Sequence, residues 1–173
     1  MCSRAIASPI PESSTLHDLH ANFLLRGWHV QHVFAPLLEI YLAHWQTGWL
    51  PSGVYHYDRR GHHLSQISTH ADESHWKQLV PSLWQIDGGG LIWVLIGDLR
   101  RVAAKYGERG ERFLLLEAGH LMQNLCLASD SLGLCTVPLG GCLEREIPQE
   151  LSLPSEDRVL YVGVCGAPET GST

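Results

Sequence analysis

Lys105 and Tyr106 are neighbours in residues 100–113, the most densely charged segment of the chain. A lysine in a buried site can lose its proton and act as a base, and a tyrosine hydroxyl beside a cation can relay a proton. The pair therefore suits removal of an acidic proton from carbon. A solvent-exposed turn is the ordinary alternative, because most runs of charge lie on the surface.

A second set of polar residues interrupts an apolar pattern of helical spacing. It contains Glu117, Gly119, His120 and Gln123. A glycine costs a helix about 1 kcal/mol relative to alanine, so Gly119 indicates the close approach of another backbone, a helix or a flat ligand. Packing between two helices at a dimer interface explains these residues equally well.

Residues 133–142 contain several glycines and are predicted to form a loop. Gly140 and Gly141 could present backbone amides to a ring edge or to a carbonyl oxygen. The spacing of the glycines does not match a dinucleotide-binding fingerprint. An ordinary tight turn is the alternative interpretation.

Metal and hydrolase sites are not indicated. The eleven histidines include no H-E-x-x-H pattern, and His62 and His63 would point to opposite faces of a strand. The five cysteines include no C-x-x-C pair, which argues against a zinc knuckle and a disulfide framework. A G-x-S-x-G elbow and a Walker loop are also missing from the sequence.

The elements that must position these residues follow from periodicity and turn formers. The uninterrupted apolar run Leu91–Gly97, followed by Asp98, predicts a strand buried on both faces, and the pattern from Glu111 to Leu132 predicts a long helix that stops at Gly133. This order of elements favours an α+β or mixed-sheet α/β layer fold. Further strands are predicted over residues 37–45, 54–58, 62–67 and 159–166, and further helices near residue 15 and over residues 73–85, where Pro81 interrupts the pattern.

The composition limits the classes of partner. A chain of 173 residues fits one domain, and 45% apolar against 17% charged residues indicates a core and a lightly charged surface, as in oligomers. The net charge of -6 without a basic stripe argues against nucleic acid. With no apolar run near the roughly 20 residues that span a membrane, and no signal peptide, a cytoplasmic protein is expected.

Several segments, in order and spacing, closely resemble the SagB-type, or thiazole/oxazole oxidase, branch of the nitroreductase superfamily. The resemblance is strong over residues 49–168 and faint before them. The segments that carry it are Gly53–Asp58, His63–Leu64, Lys105–Gly110, Leu115–Leu125, Gly133–Leu134, Gly140–Gly141 and Gly166–Pro168.

The resemblance implies an α+β, nitroreductase-like fold over the single domain 1–173. A central mixed or antiparallel sheet would be flanked by helices, and the helix Glu111–Leu132 would form the dimer interface. Flavin mononucleotide (FMN) would be held between two subunits and would oxidise an azoline ring of a peptide to the azole, with oxygen reoxidising the flavin. In that branch a Lys-Tyr pair, here Lys105 and Tyr106, removes the ring proton.

The resemblance also implies the cofactor-binding residues. Arg4 stands where the family's Ser-x-Arg motif binds the flavin phosphate or ribityl oxygens, and the Gly140–Gly141 loop would face the flavin ring. Glu117 and Gln123 are assigned to the same site. No metal is expected.

The N-terminal part departs from the family pattern. Residues 26–36 stand where members carry Arg-x-x-Pro-Ser-x-Gly, and residues 1–48 are divergent or shortened. Two alternatives therefore stay open beside a homodimeric azoline dehydrogenase acting on a peptide or small molecule. One is a general NAD(P)H-dependent nitroreductase, and the other is a flavin-poor, non-catalytic or heteromeric subunit whose partner completes the site.

Overall fold

The computed structural model of the chain describes residues 6–8, 38–46, 50–59 and 61–168. The helix predicted near residue 15 lies outside them. The strands are β1 (Ile6–Ser8), β2 (Leu38–His44), β3 (Gly53–Asp58), β4 (His63–Ser68), β5 (Leu91–Asp98), β6 (Cys135–Leu139) and β7 (Asp157–Pro168). The helices are α1 (Glu73–Leu79), α2 (Leu99–Tyr106), α3 (Gly110–Ser131) and α4 (Glu146–Glu150), with short 3-10 helices at Pro81–Gln85 and Gly107–Arg109.

One antiparallel sheet organises the described residues, and β5 lies at its centre. β5 pairs with β2 on one side and with β7 on the other, and β3 and β4 continue the sheet beyond β2. β6 pairs with β7, and β1 pairs with the last residues of β7. Every residue from Leu91 to Gly97 is buried, which confirms the prediction of a strand covered on both faces.

The sheet separates two apolar clusters, because successive side chains of a strand point to opposite faces. One face of β5 packs against α3, and the other packs against α1, α4 and the 3-10 helix Pro81–Gln85. The α+β fold with a sheet flanked by helices is thereby confirmed. The first cluster includes Leu91, Trp93, Leu95, Leu114, Leu121, Met122 and Leu125, and the second includes Ile92, Val94, Ile96, Trp76, Leu83 and Ile147.

The long helix was correctly predicted, and it ends where a glycine permits it. Gly133 has a φ of +72°, a left-handed conformation that glycine adopts without strain. The amide of Leu134 then donates to the carbonyl of Ser129 over 2.8 Å, which caps the helix. Among the helices that the structure describes, none combines the length and the apolar character that crossing a membrane requires.

Two predictions of local structure were wrong. Residues 133–142 are not a continuous loop, because Cys135–Leu139 forms strand β6 along β7 and only the residues after it are irregular. The strand was missed because Pro138 argues against a strand in the sequence. Proline is nevertheless tolerated at the edge of a sheet. The charged segment after β5 is not a turn, because residues 99–106 form α2. The short helix α4 was not predicted.

Candidate active site

Helix α2 carries Lys105 and Tyr106 at its C-terminal end. It begins after Asp98, whose carboxylate accepts a hydrogen bond from the amide of Arg101 over 3.0 Å and so caps the helix. Val102 is the residue that α2 buries in the core. The cap and this single apolar anchor explain why a highly charged segment forms a helix on the surface.

Two glycines bring the end of α2 against the start of α3. Gly107 has a φ of +58° and ends α2. Gly110 lies so close to Val102 that a Cβ atom there would collide with its side chain. The close approach places the Tyr106 ring against Phe113, with ring centroids 5.2 Å apart and an interplanar angle of 76°.

The two predicted proton-transfer residues have different environments. Lys105 is exposed, and its Nζ atom lies 5.1 Å from the centroid of the Tyr106 ring. The Tyr106 hydroxyl is buried and has no hydrogen-bond partner within the part of the chain that the structure describes. The amine is therefore accessible to a ligand, whereas the hydroxyl faces the interior.

Glu117 lies on α3 one turn after Phe113 and is half-buried. Burial raises the pKa of its carboxyl above the usual 4.5, and the positive charges of Arg59 and Lys105 act in the opposite direction. Glu117 therefore lies within the electrostatic range of Lys105.

Arg59 belongs to an ionic cluster centred on Glu39. The Glu39 carboxylate accepts hydrogen bonds from His56 Nε2 at 3.1 Å, Arg59 Nη2 at 3.3 Å and Arg101 Nη1 at 3.4 Å. Burial alone would raise the pKa of Glu39, but these partners outweigh it and hold the pKa below 4.5. The Arg59 side chain is only 11% exposed.

Sequence reasoning missed Arg59 and Glu39 as parts of this site. Glu39 carried a usable signal, because an acid inside the apolar run of residues 37–45 must find a cation when the strand is buried. Arg59 gave no such signal, since it stands in an Arg-Arg-Gly turn between two strands.

The glycine loop lies elsewhere on the chain. Ser82 donates to the carbonyl of Gly141 over 3.5 Å, so the loop contacts the 3-10 helix on the sheet face opposite α3. Within the described part of the chain, no atom lies within 4 Å of the position that a Cβ atom would take at Gly140. This side of the loop backbone is therefore open enough for the edge of a flat ring to approach.

Gly119 and Gln123 lie on the exposed side of α3. Among the described residues, no atom lies within 4 Å of the position that a Cβ atom would take at Gly119. The close approach predicted for Gly119 therefore does not come from this part of the chain. Arg4, assigned to the flavin phosphate, lies outside the described residues.

A surface cavity of about 420 Å³ lies at the start of α2 and is lined by residues that include Arg100, Ala103 and Asp157. None of the predicted site residues lines this cavity. Within residues 38–46, 50–59 and 61–168, no group of three or more His, Cys, Asp or Glu side chains is placed to hold a metal ion.

Comparison with known proteins places the chain in a family. The model of the nitroreductase family matches residues 55–167. A protein of Methanocaldococcus jannaschii described as a nitroreductase is 32% identical over 119 residues, which are 67% of this chain and 59% of that protein. This chain thus spans less than two thirds of that relative.

Solved structures agree on the fold. The E. coli microcin synthetase McbBCD complex with truncated pro-MccB17 bound contains a chain with a TM-score of 0.75 and 21% identity, covering 95% of this chain and 65% of that one. The NADPH:FMN oxidoreductase of Vibrio harveyi complexed with NAD+ has a TM-score of 0.60 and 17% identity, covering 97% and 66%. Since the family model covers the chain from β3 to the end of β7, the chain belongs to the nitroreductase family and has its α+β fold.

Proposed function

We propose that the chain is an FMN-dependent dehydrogenase that oxidises an azoline ring in a peptide. The observation that carries the proposal is the pair at the end of α2, where an exposed lysine amine lies over the ring of Tyr106. Reduction of a nitro group needs no base that removes a proton from carbon, whereas ring dehydrogenation does. Similarity to a chain of the microcin synthetase McbBCD complex with truncated pro-MccB17 bound supports a peptide substrate.

Different residues of this chain would remove the substrate proton and bind the cofactor. Lys105 takes the ring proton, and Tyr106 orients the amine through its ring. The amides of Gly140 and Gly141 and the carboxamide of Gln123 would hold the edge of the flavin ring, and Arg4 would bind its phosphate. When bound, FMN supplies the acceptor for the hydride that leaves the substrate.

The site requires two copies of the chain. The Lys105 group lies on the α3 side of the sheet and the Gly140–Gly141 loop contacts the other side, so one ligand that touches both would lie between two copies. The exposed side of α3 carries Leu115, Leu116 and Leu127, each more than half exposed. Apolar side chains of this kind on one helix suit a dimer interface.

The first experiment tests FMN binding. The purified protein is mixed with excess FMN, passed through gel filtration and scanned for flavin absorbance. Flavin that stays with the protein supports the proposal, and Arg4→Ala should then weaken retention. A thiazoline-containing peptide is next added without oxygen, and bleaching of the flavin together with a mass loss of two hydrogens from the peptide identifies the reaction.

A second experiment tests whether the chain assembles into a dimer. Light scattering should give the mass of a dimer, and Leu127→Asp should shift it towards the monomer because a charge at an apolar interface is strongly unfavourable. Ile67→Asp is the matched control, since Ile67 is an exposed apolar residue of β4, far along the sheet from α3. A wild-type monomer that retains FMN and oxidises the peptide would contradict the two-copy site.

A general NAD(P)H-dependent nitroreductase is a second candidate, favoured by the similarity to an NADPH:FMN oxidoreductase. It predicts rapid reduction of bound flavin by NADPH and turnover of a nitroaromatic compound. Flavin reduction by the azoline peptide but not by NADPH would separate the two activities.

A subunit of a heteromeric enzyme is a third candidate, favoured by the similarity to a chain of the microcin synthetase McbBCD complex. A colourless protein that takes up no FMN on its own, and acquires it with a partner chain, would support this candidate.

A further inference from the structure

Strand β4 forms one edge of the sheet. The order of strands runs from β5 through β2 and β3 to β4, and among the described residues β4 pairs with β3 alone. No residue of β4 is buried, and His63, Gln66 and Ile67 are exposed. Because the backbone amides and carbonyls of a strand point alternately to its two sides, about half of those in β4 point away from β3.

β4 has few of the features that keep the edge of a sheet from pairing with another chain. Such edges usually carry lysine, proline or acidic side chains, or a bulge. β4 has the sequence His-Leu-Ser-Gln-Ile-Ser, without proline, lysine or an acid. Its bulge, at Ile67, leaves the register from His63 to Gln66 regular. By contrast β6, which lies beyond β7 at the other end of the sheet, contains Pro138.

We propose that the regular part of this edge, His63–Gln66, binds an extended segment of the peptide substrate as an additional strand of the sheet. The inference rests on the proposed oxidation of a peptide and adds to it how the peptide is held. Main-chain hydrogen bonds of this kind form with any extended backbone. The edge therefore recognises the extended form of the peptide rather than one particular sequence.

The size of the edge favours a peptide over a second copy of the chain. β4 has 6 residues. A stable interface between two folded proteins uses roughly 20–30 residues on each side, which the pairing of two such strands does not approach. A short strand is sufficient for a peptide, because several kinds of domain bind peptides by adding one strand to an exposed edge. Weak pairing also suits a substrate, since the peptide must leave after oxidation.

The His63 end of β4 is the end that leads towards α2. His63 pairs with the last residue of β3, just before Arg59. Arg59 and Arg101 of α2 bind the same carboxylate, that of Glu39, at 3.3 Å and 3.4 Å. A peptide that leaves the edge at this end therefore runs towards the helix that carries Lys105.

The faces of the added strand follow from those of β4. Leu64 packs against the apolar cluster on the α3 side, as Tyr106 does. Side chains alternate between the two faces, so every second side chain of the peptide would face the side that carries Lys105. The added strand would lie four strand spacings from β5, about 19 Å at roughly 4.8 Å per spacing. About six residues of extended peptide cover this distance, so the azoline should lie about six residues from the docked segment.

The first test measures amide hydrogen exchange by NMR, with and without an excess of a synthetic peptide of about 20 residues that contains one thiazoline near its middle. In the free protein, the amides of β4 that do not pair with β3 should exchange fast. The peptide should slow them at least about tenfold, because each then donates to the peptide backbone. The amides of β6 are the control and should not change. Slow exchange in the free protein, which would show the edge already occupied, or no slowing with the peptide would overturn the proposal.

The second test changes the peptide and measures its turnover by the FMN-loaded protein. Methylation of the backbone amides in the segments beyond about five residues from the ring removes the donors of an added strand. It should raise KM at least about tenfold and leave kcat nearly unchanged. The control peptide keeps its backbone and has alanine at the same positions, and its KM should stay close to that of the parent peptide. Equal KM values for the methylated and parent peptides would contradict docking on β4.

Two proline variants test the same edge on the protein. Successive amides of a strand point to opposite sides, so one of Ser65 and Gln66 donates towards β3 and the other points outward. Of Ser65→Pro and Gln66→Pro, the one that keeps wild-type stability in urea lacks the outward amide, and its KM for the peptide should rise while kcat stays the same. Ser65→Ala and Gln66→Ala control for the lost side chains. A stable proline variant with wild-type KM would overturn the proposal, and if both variants unfold the methylated peptide decides.

These tests also separate the inference from the proposed function. If the wild-type protein does not oxidise the thiazoline peptide, the proposed function fails in the turnover assay. Hydrogen exchange alone then decides whether the edge of β4 binds a peptide strand. If the peptide is oxidised while the exchange of the β4 amides and the KM of the methylated peptide do not change, only the docking on β4 is wrong.

Discussion

The Nζ atom of Lys105 lies 5.1 Å from the centre of the Tyr106 ring, so two consecutive residues hold a cation against an aromatic face. The same ring contacts Phe113 of the next helix edge-on at 5.2 Å. The position of the amine therefore depends on the packing of α2 against α3 as well as on α2 itself. Substitutions in this stack should affect chemistry more than folding.

Replacing Lys105 with methionine should abolish oxidation of an azoline peptide while FMN stays bound. The amine is exposed and forms no buried ion pair, so the free energy of unfolding should change little. Turnover, flavin absorbance after gel filtration and urea unfolding measure these three properties. Lys77→Met, at the only other lysine, is the control. Full turnover in Lys105→Met would remove this residue from the mechanism.

Tyr106→Phe should separate the role of the hydroxyl from that of the ring. A buried hydroxyl without a partner opposes folding, so its removal should leave stability unchanged or raise it by up to about 1 kcal/mol. If the hydroxyl relays a proton, kcat falls by roughly a hundredfold in the same variant. Unchanged kcat would restrict Tyr106 to the orientation of Lys105.

Gly119→Ala should stabilise the isolated chain and weaken whatever packs on α3. Alanine gains about 1 kcal/mol over glycine inside a helix, and its Cβ would meet no atom of the described residues within 4 Å. Unfolding of the diluted protein should show the gain, while light scattering and FMN retention should show a loss. Normal assembly and retention would mean that nothing approaches Gly119. Gly133→Ala, at a φ of +72°, should only destabilise.

Glu39 should make the fold sensitive to acid. Burial opposes its ionisation, but the hydrogen bond from His56 and the charges of Arg59 and Arg101 outweigh burial, so its pKa in the folded state is below 4.5. A carboxyl with a lowered pKa stabilises the fold above its unfolded pKa and loses this contribution as pH falls through its folded pKa. The free energy of unfolding should therefore drop below about pH 4.5.

Glu39→Gln should reduce that drop. Urea unfolding measured from about pH 6 to pH 3 gives the slope, which should be smaller in the variant, and the variant should be less stable at pH 6. Glu73→Gln is the control, because Glu73 is a more exposed acid paired with a lysine on the surface. Equal slopes for the wild type and Glu39→Gln would show that other carboxyls cause acid unfolding.

Most of the described sheet could be predicted from the sequence because its pattern is strong. Leu91–Gly97 is apolar without interruption, which is typical of a strand buried on both faces. The helix Gly110–Ser131 was found for a similar reason, since its apolar residues recur on one side and Gly133 marks its end. The adjacency of Lys105 and Tyr106 was visible in the chain itself.

The parts that escaped prediction depend on partners distant in sequence. Cys135–Leu139 is a strand because β7 offers it an edge, which no local pattern reveals. The charge of Arg59, which follows β3, acts on Glu117 of α3, and this proximity depends on the tertiary fold. Helix α2 has one buried apolar residue, Val102, too few to show helical periodicity.

The pairing of the long strand β7 affects how the protein folds during synthesis. It pairs with β5, β6 and β1, all of which precede it in the chain. During synthesis, one edge of β5 therefore stays unpaired, and parts of its two apolar faces stay exposed, until residues 157–168 have left the ribosome. Unpaired strands of this kind are prone to aggregation, so the nascent chain depends most on chaperones between the emergence of β5 and that of β7.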